Sequence, residues 1–304
     1  MIDQTDAWLD EAKQGKISWE ELAERILQLG QNEIPDSVAA AHSPDHDRKR
    51  RCGFGEVIFG QGKTTDSIIQ IAKKLLATGD QEVLVTRISQ EDALRVQSEF
   101  QAHDYEPLGR TLRISMQEQI STVRRLPCPS SFKSDLQQPN LEGSTTANPW
   151  LPAVVVVTAG STDRPVAQEA QATLRWMGVD ADLICDVGVA GPYRLLKHLP
   201  QLRQAAVVVV AAGMEGALAS VVGGLVPCPI IAVPTSVGYG FNLEGITTLL
   251  SMMSSCAAGV TTVNIDAGFK GGYVAGLIAH RAAEHAIAAA AAGAAFIAQR
   301  PAAE

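Results

Sequence analysis

Short β-branched runs alternate with amphipathic stretches over the C-terminal half of the chain. Each run is nearly continuous in apolar residues, which is typical of strands that helices cover on both faces. The pattern predicts five strands, at 153–158, 181–185, 206–211, 229–233 and 260–265. It predicts helices at 164–177, 192–199, 214–225, 244–256 and 272–298. This half of the chain is therefore predicted to be an α/β doubly wound parallel sheet of about five strands.

The first half of the chain has a weaker pattern. Residues 1–46 are predicted to be a helical segment with helices at 6–14 and 18–29, the second opened by a capping box of Ser18 and Glu21. Residues 47–126 are predicted to be a small α/β domain, with strands at 56–59, 83–85 and 112–114 and helices at 65–76 and 90–102. Residues 127–150 lack periodicity and are predicted to be a linker, so the remaining domain is 151–304.

Glycine gathers in all five loops that follow the predicted strands of the large domain. Right-handed crossovers bring these loops to one edge of the sheet, which we call the rim. The loops are Gly160–Asp163, Asp186–Gly191, Ala212–Gly216, Pro234–Gly240 and Asp266–Gly272. Clustered glycines let backbone N–H groups approach a ligand closely. In the first loop, Ser161, Thr162 and Asp163 stand where the next helix begins, which predicts a phosphate site.

Composition excludes several classes of partner. The 304 residues carry a formal net charge of −8 without a long basic run, which argues against a nucleic-acid or anionic-membrane surface. The short basic run Arg48–Arg51 fits either a solvated face or a phosphate or carboxylate contact. With no signal-peptide layout and no apolar run of about 18 residues, a cytoplasmic protein with no membrane contact is expected. Five cysteines without CxxC spacing indicate neither a disulfide framework nor a zinc cluster.

The large domain resembles the phosphoribosyl-aminoimidazole carboxylase fold in the order of several segments. These are Gly160–Val166, Ala211–Met214, Ile231–Pro234 and Leu249–Met252. That family carries a Ser-Ala-His-Arg motif after its second strand, whose histidine moves the proton. The equivalent stretch here, 186–194, contains no histidine, so purine chemistry is not expected.

A closer resemblance covers most of the chain. It is to the carboxylase/hydrolase family that begins nickel-pincer nucleotide cofactor synthesis, whose cyanobacterial relatives are called circadian phase modifier proteins. The matching segments are Asp47–Thr64, Gly160–Ala167, Asp186–Gly191, Gly213–Ala217, Pro234–Gly240 and Ser255–Val260. The resemblance implies carboxylation of the pyridinium ring of nicotinic acid adenine dinucleotide by CO2. Hydrolysis of the phosphoanhydride then gives pyridinium-3,5-biscarboxylic acid mononucleotide and AMP.

The resemblance also implies a homo-oligomer of high order, octamer-like, and no organic prosthetic group. A divalent cation, with Mg²⁺ the first candidate, would neutralise the negative charge of the phosphoanhydride during its cleavage. Ligands for that metal are not identified. A non-catalytic, nucleotide-binding regulator and an aminoimidazole ribonucleotide carboxylase or mutase remain as alternatives.

This chemistry needs a nucleophile because a pyridinium ring is too electron-poor to attack CO2. A thiolate that adds at C4 or C6 makes C5 nucleophilic; C5 captures CO2, loses its proton to a base, and the sulfur leaves. The family match makes Cys256 the predicted nucleophile. Spacing alone favours a core cysteine, because Leu249, Met252 and Met253 share its helical face. Cys185 and Cys228 are interpreted as packing or loop residues.

Glu215 is the predicted base, because a position directly after a buried strand can desolvate it and raise its pKa. A first-turn helix carboxylate is the alternative. Asp163 is the third predicted catalytic residue; with Ser161 and Thr162 it would contact ribose and phosphate or hold the cation, while helix capping is the alternative. The predicted substrate-binding residues are Gly160, Ser161, Thr162, Arg164, Gly188, Gly213, Met214, Gly216, Ser236, Gly238, Tyr239 and Lys63.

Three of these residues, Lys63, Gly238 and Tyr239, stand in two segments that each lack one glycine of a known nucleotide-binding motif. The segment Gly60–Thr64 lacks the first glycine of a P-loop, since position 57 is Val57. Lys63 could still offer its charge to the phosphates of the dinucleotide, or simply start a helix. Gly238–Gly240 lacks the third glycine of the dinucleotide fingerprint. We therefore interpret it as a close-approach loop in which Tyr239 stacks on a ring.

Overall fold

The computed structural model describes residues 2–31, 45, 48–117, 120 and 154–298, so the predicted linker lies outside the described residues. The chain divides into two compact units, Met1–Asp45 and His46–Glu304. In the first unit, helices α1 (Ile2–Lys13) and α2 (Trp19–Gln31) match the predicted pair. The Ser18 hydroxyl accepts the backbone N–H of Glu21 at 3.0 Å, so Ser18 caps α2 as expected.

The second unit begins with a small domain, residues 48–117, built on a mixed four-stranded sheet in the order β1-β2-β4-β3. Its strands are β1 (Val57–Phe59), β2 (Val83–Thr86), β3 (Ala102–Glu106) and β4 (Thr111–Ser115). Its helices are α3 (Arg48–Cys52), α4 (Thr65–Ala77) and α5 (Gln90–Gln97). β1 runs parallel to β2, and β4 pairs antiparallel with β2 and β3.

Two elements of this domain were not predicted. β3 was not assigned as a strand: only its first residue, Ala102, fell in the helix predicted at 90–102, which instead ends at Gln97. Its sequence Ala-His-Asp-Tyr-Glu has little apolar content because this edge strand pairs only with β4. α3 contains the basic run and has no buried residue, so it has no hydrophobic period to detect. The Lys49 ammonium lies 4.0 Å from the Asp80 carboxylate, a carboxylate contact of the kind left open above.

The large domain, residues 154–298, contains the predicted five-stranded, all-parallel sheet. Its order is β6-β5-β7-β8-β9. The strands are β5 (Val154–Thr158), β6 (Ala181–Ile184), β7 (Val207–Ala212), β8 (Ile230–Pro234) and β9 (Val260–Thr262). The helices are α6 (Arg164–Trp176), α7 (Pro192–Leu196), α8 (Leu199–Leu202), α9 (Ala217–Gly223), α10 (Ile246–Met253) and α11 (Gly268–Ala298). The α/β doubly wound fold class is thereby confirmed.

Helices cover both faces of this sheet. On one face, α6 and α11 enclose a core that includes Val156, Leu174 and Ala275. On the other face, α7 to α10 enclose a core that includes Val208, Leu218 and Met252. Because the central strands β5, β7 and β8 are buried along their whole length, their β-branched runs form the interior, as their composition predicts.

Four predicted helices of the large domain differ from the structure in their boundaries; two of them are α9, which spans Ala217–Gly223 rather than 214–225, and α11, which begins at Gly268 rather than 272. The helix expected at 192–199 is divided into α7 and α8, with Pro200 in the first turn of α8. The helix expected at 244–256 is shorter, because Leu243, Glu244 and Gly245 all have positive φ and α10 begins only at Ile246.

The small domain packs on the face of the large domain formed by α6 and α11. A Cβ on Gly109, in the turn before β4, would lie 2.8 Å from the backbone N of Glu169, so glycine permits this close approach. The indole N–H of Trp176 donates to the Glu82 carbonyl at 3.3 Å. The Phe54 ring packs 6.0 Å from the Trp176 ring between centroids, and it also contacts Tyr273 and His280.

α11 approaches α6 through glycines four residues apart. A Cβ on Gly268 would lie 2.2 Å from the Val166 carbonyl oxygen, and one on Gly272 would lie 2.4 Å from that of Ala170. The two helix backbones are therefore in contact over this stretch. In the ranges that the structure describes, no helix combines the length and apolarity needed to cross a membrane.

Candidate active site

The strand order of the large sheet defines where a ligand can enter. The chain goes from β5 to β6 on one side and then returns to place β7 on the other side of β5. The loops after β5 and β7 therefore diverge at their carboxyl ends, which opens a crevice at the topological switch point. These two loops are Gly160–Asp163 and Gly213–Gly216, both predicted from sequence as parts of the site.

Asp163 connects these loops. Its carboxylate accepts the backbone N–H of Gly160 at 2.8 Å and the Thr235 hydroxyl at 2.6 Å, and it also accepts the backbone N–H of Gly213. These donors come from the loops after β5, β8 and β7, so one buried side chain fixes three parts of the rim. Asp163 is 3% exposed, and burial raises its pKa above the ordinary value, while the three donors oppose that shift. Its observed contacts are bracing contacts, which include capping of its own loop.

The residues next to Asp163 face solvent. Ser161, Thr162 and Arg164 are exposed at the start of α6, and Pro165 occupies its first turn. Two exposed hydroxyls and one exposed guanidinium thus lie beside the N-terminus of a thirteen-residue helix at the switch point. This arrangement is suited to an anionic group such as a phosphate.

The loop after β7 depends on glycine at two positions. A Cβ on Gly213 would lie 2.1 Å from the Val237 carbonyl oxygen, so the two loops touch through backbone atoms. Gly216 has φ of 68° and begins α9, and a Cβ there would meet Thr248 and Met252 at 3.0 Å. Between them, Met214 has φ of 55° and its side chain is exposed. Its carbonyl accepts hydrogen bonds from Asn242 and Thr248.

Glu215 lies on this loop at the rim, as predicted, but its side chain is exposed in the subunit. The expected desolvation of Glu215 is therefore wrong for the subunit taken alone, because Met214 and Gly216 turn the chain outward there. The buried carboxylate at the switch point is Asp163 instead.

The loop after β8 contributes Ser236, Gly238 and Tyr239, all exposed. The Ser236 backbone N–H donates to the Asp266 carboxylate at 2.8 Å. Gly238 packs against Asn242, where a Cβ would lie 2.4 Å from the side chain. The Tyr239 ring is 80% exposed, so one face is free for a planar ligand.

Gly188, in the loop after β6, approaches the loop after β5. A Cβ there would lie 2.7 Å from the Ala159 carbonyl oxygen, which also accepts the Gly188 N–H at 2.9 Å. Gly160, Gly188, Gly213 and Gly216 thus belong to one rim. The structure brings together all the predicted residues of the large domain except Cys256.

Cys256 follows α10 and precedes β9, so it lies toward the amino ends of the strands, away from the rim. Its neighbours fix this position. The Ser255 hydroxyl contacts that of Ser220, one turn into α9, at 2.9 Å, and Ala257 packs against Gly223 at the end of α9. Glu215 precedes the start of the same helix, so about 10 Å of helix separates the two residues along the subunit. The Cys256 thiol is exposed. The apolar helical face that was expected to bury it is itself only partly buried, since Met252 is buried and Met253 is exposed.

The other described cysteines differ in environment. Cys228 is buried, and desolvation raises the pKa of its thiol to about 11, which agrees with the packing role predicted for it. Cys185 is exposed at the carboxyl end of β6, so it is a loop residue. Cys52 is exposed at the end of α3.

Lys63 is exposed in the loop after β1 of the small domain. Gly60, in the same loop, donates its N–H to the Thr86 carbonyl at 2.7 Å, which sets the loop beside the end of β2. Arg87, which follows Thr86 in the chain, contacts the large domain by donating to the Asp266 carbonyl. Lys63 therefore stands on the edge of the small domain that borders the rim.

Arg87 and Glu169 were not identified from sequence. The Arg87 Nε donates to the Glu169 carboxylate at 2.9 Å across 82 residues of chain. Burial raises the pKa of Glu169, opposed first by Arg87 and then by the backbone N–H groups of Phe269 and Gly268. The only sequence signal was a glutamate inside an apolar helix face, which gives no indication of its partner.

Among the described residues, no three His, Cys, Asp or Glu side chains are grouped so as to hold a metal ion. Asp163, the buried carboxylate of the rim, already accepts three protein donors. Mg²⁺ is commonly held by one or two carboxylates together with substrate phosphates, so a cation at this rim would depend on a bound phosphate.

A separate cavity of about 220 Å³ lies at the other end of α6. It is lined by residues of both domains, among them Lys49, Phe54, Asp80, Arg175 and Trp176. Since α6 has thirteen residues, this cavity is roughly 18 Å from the rim along the helix. It does not belong to the candidate site.

Comparison with known proteins agrees with this architecture. Residues 37–117 match the family described as LarB/PurE-like N-terminal domain, and residues 153–296 match the AIR carboxylase family. An uncharacterized protein of Methanocaldococcus jannaschii is 36% identical over 269 residues, covering 88% of this chain and 93% of that protein.

Two solved structures show weak similarity. A PurE2 variant of Treponema denticola has a TM-score of 0.35 and 18% identity, over 48% of this chain and 93% of that chain. A flavodoxin from the domain Archaea has a TM-score of 0.29 and 16% identity, over 42% of this chain and 97% of that chain. Both scores are too low to bear on function.

The parallel sheet, its glycine-rich rim and the family match place the large domain in the AIR carboxylase class. The chain belongs to the LarB-like family, in which a LarB/PurE-like N-terminal domain precedes an AIR carboxylase domain. The family resemblance found in the sequence is thereby confirmed, and it supports a carboxylase-type function.

Proposed function

We propose that this protein carboxylates the pyridinium ring of nicotinic acid adenine dinucleotide with CO2 and hydrolyses its phosphoanhydride. The products are pyridinium-3,5-biscarboxylic acid mononucleotide and AMP. The main support for the proposal is that the loops Gly160–Asp163 and Gly213–Gly216 lie together at the switch point. The Asp163 carboxylate holds them there by accepting hydrogen bonds from both loops. Nucleotides bind at this place in doubly wound sheets.

The rim offers groups for each part of the substrate. Ser161, Thr162 and Arg164 would bind the phosphate nearest the reacting ring at the start of α6. Lys63, on the bordering edge of the small domain, would contact the diphosphate as a cation. Tyr239 would cover one ring of the dinucleotide.

The covalent steps balance without an external oxidant. The Cys256 thiolate adds at C4 or C6 of the pyridinium, and the ring becomes a neutral dihydropyridine. C5 then forms a bond to CO2, Glu215 takes the proton from C5, and the thiolate leaves as the ring regains aromaticity. Water attacks the phosphoanhydride in a separate step and releases AMP. A cation would travel with the substrate phosphates, and no step here depends on a metal held by the protein.

Cys256 and Glu215 lie toward opposite ends of α9, so the proposed chemistry would need the thiol of a second copy of the chain. We propose that the thiol of one copy serves the rim of another. The exposed apolar side chains of α10 support this arrangement: Ile246, Leu250 and Met253 are 49%, 58% and 67% exposed, and Val221 of α9 lies on the same side of the sheet. An apolar patch of this kind is typical of a protein interface. A homo-oligomer of high order would cover it.

Mass spectrometry tests the reaction. The protein is incubated with the dinucleotide, bicarbonate and Mg²⁺, using ¹³C-bicarbonate in a parallel sample. AMP together with a mononucleotide that gains one labelled carboxyl supports the proposal. Unchanged dinucleotide bound to the protein would support a regulator instead. Conversion of aminoimidazole ribonucleotide would support the purine enzyme, against which the absence of histidine at 186–194 already counts.

Mixing variants tests the shared site. Cys256→Ser and Glu215→Gln subunits should each be inactive alone, because every site lacks one group. Mixed oligomers should recover activity, since the intact thiol of one copy meets the intact carboxylate of another. Recovery to roughly a quarter of wild-type activity is expected for random mixing of equal amounts. Mixtures that remain inactive after confirmed subunit exchange would show that both groups act within one subunit.

A further inference from the structure

Arg87 reaches from the small domain to the rim of the large domain. It follows β2 directly and has a φ of 55°, a left-handed conformation that is uncommon for a residue other than glycine. Its guanidinium donates to both carboxylate oxygens of Glu169, at 2.9 and 3.4 Å, and its Nη2 also donates to the Asp266 carbonyl oxygen. One side chain therefore holds a helix and a rim loop of the other domain.

Glu169, on α6, holds the first turn of α11 in place. It is 3% exposed and accepts the backbone N–H groups of Gly268 and Phe269 as well as the Arg87 guanidinium. Gly268 lies against α6, where a Cβ would be 2.7 Å from the Glu169 carboxylate. The α6 carboxylate, the first turn of α11 and Arg87 thus form one contact.

Asp266 transmits this contact to the rim. Its own backbone N–H donates to the Pro234 carbonyl at 2.8 Å, and its carboxylate accepts the Ser236 N–H at 2.8 Å. Its carbonyl faces Arg87. The residue has a φ of 53°, so this orientation of its peptide groups depends on the surrounding contacts.

We infer that Arg87 is a positioning residue, through which the small domain holds the loops after β8 and β9 in the arrangement that binds the nucleotide. The part that concerns the nucleotide rests on the proposed function. The small domain would thus contribute to the site through Asp266 and Ser236 rather than by contacting the reacting ring. This assigns a role to a domain for which the sequence predicted only Lys63 as a site residue.

The single variant Arg87→Met would change both the Asp266 contact and the stability of the fold. Arg87→Met removes the contact with Asp266 but also leaves the Glu169 carboxylate buried without its cation, which destabilises the fold. The double variant Arg87→Met with Glu169→Gln avoids this difficulty, because the neutral amide oxygen can still accept the Gly268 and Phe269 N–H groups. Arg95→Met is the matched control, since Arg95 belongs to the same domain and its ion pair with Asp66 is exposed.

Hydrogen exchange read by NMR provides the decisive measurement on the full-length protein. In the double variant, the Ser236 amide should exchange about tenfold faster, because losing a charge-assisted hydrogen bond frees the Asp266 loop. The amides of β5 and β7 should keep their wild-type rates, and Arg95→Met should change neither set. Arg87→Lys should restore part of the protection at Ser236.

Calorimetric titration with nicotinic acid adenine dinucleotide provides the second readout. The double variant should bind about tenfold more weakly than wild type, and Arg95→Met should bind normally. An unchanged Ser236 exchange rate, or an equal acceleration of the β5 and β7 amides, would overturn the inference. Failure of the wild type to bind the dinucleotide would instead overturn the proposed function, while the exchange rates would still decide the role of Arg87.

Discussion

Thr235 donates its hydroxyl hydrogen to Asp163 at 2.6 Å, joining loops that follow two strands separated in the sheet by β7. Both side chains are buried, and Gly213 of the intervening loop donates to the same carboxylate. The rim is therefore fixed in its centre by a polar contact, while the ligand-facing groups surround it.

Asp163→Asn tests the charge state of this brace. Because burial raises the pKa of Asp163 above 3.8, the folded protein holds the proton more tightly than the unfolded chain. Its contribution to stability is thus fully present below pH 3.8 and is lost as pH rises through the folded-state pKa.

The variant lacks this titration and places an amide donor against the Gly160 or Thr235 donor. We expect it to be less stable by about 1–3 kcal/mol at mildly acidic pH. The difference from wild type should shrink as pH rises, as measured by urea unfolding between pH 4 and pH 8. A difference that grows with pH would contradict the raised pKa.

Gly213→Ala tests the close contact between the loops after β7 and β8. The new Cβ would lie 2.1 Å from the Val237 carbonyl oxygen, so one loop must move. We expect a loss of about 1–3 kcal/mol in unfolding free energy together with weaker nucleotide binding. Gly224→Ala is the control, because its Cβ would have no atom closer than 3.6 Å and its φ is −81°. Equal stability losses in the two variants would refute this account of the rim.

Arg113→Met tests the buried ion pair of the small domain. Arg113 and Glu82 are 5% and 7% exposed and lie 2.6 Å apart. Removing the guanidinium leaves a buried carboxylate, which should cost about 3–5 kcal/mol of stability. Lys73→Met, which breaks an exposed pair with Glu99, should leave the thermal midpoint unchanged. If both variants unfold at the wild-type temperature, the buried pair contributes nothing.

Alkylation rates test the environment of Cys228. A thiol pKa of about 11 in place of 9.0 lowers the thiolate fraction about a hundredfold at pH 8. Iodoacetamide should therefore modify Cys52, which is exposed, long before Cys228 in the native protein. Peptide mapping by mass spectrometry measures both rates, and they should converge in urea. Native rates that are already equal would mean that Cys228 is accessible.

The fold was predictable where burial leaves a compositional trace. The β-branched run Val154–Thr158 indicated a strand covered on both faces, and glycines of the rim follow each such run. β3 left no trace, because an edge strand with two exposed residues need not be apolar. Arg87 could not be found either, since its partner Glu169 stands 82 residues away and the contact depends on how two domains pack.

The placement of Cys256 was only partly readable. A residue between a helix and the next parallel strand lies toward the amino ends of the sheet, and the predicted order of elements already contained that signal. The copy that would face this thiol is set by contacts between subunits, which the pattern along one chain does not encode. The exposure of Glu215 could not be predicted in this way. It arises from the left-handed conformation of Met214 before it, and the hydrophobic pattern gives no indication of such a local conformation.

The glycines at 268 and 272 bring α11 into backbone contact with α6, and this has a consequence for how the protein can move. Helices whose main chains touch have no side chains between them that could rearrange, so we expect the two helices to move as one rigid unit. The first turns of α6 and α11, around Val166 and Gly268, should therefore keep a constant spacing when a ligand binds. A closing motion over a bound ligand would then involve loops outside this helix pair, such as Tyr239–Gly245, where Leu243 and Glu244 have positive φ.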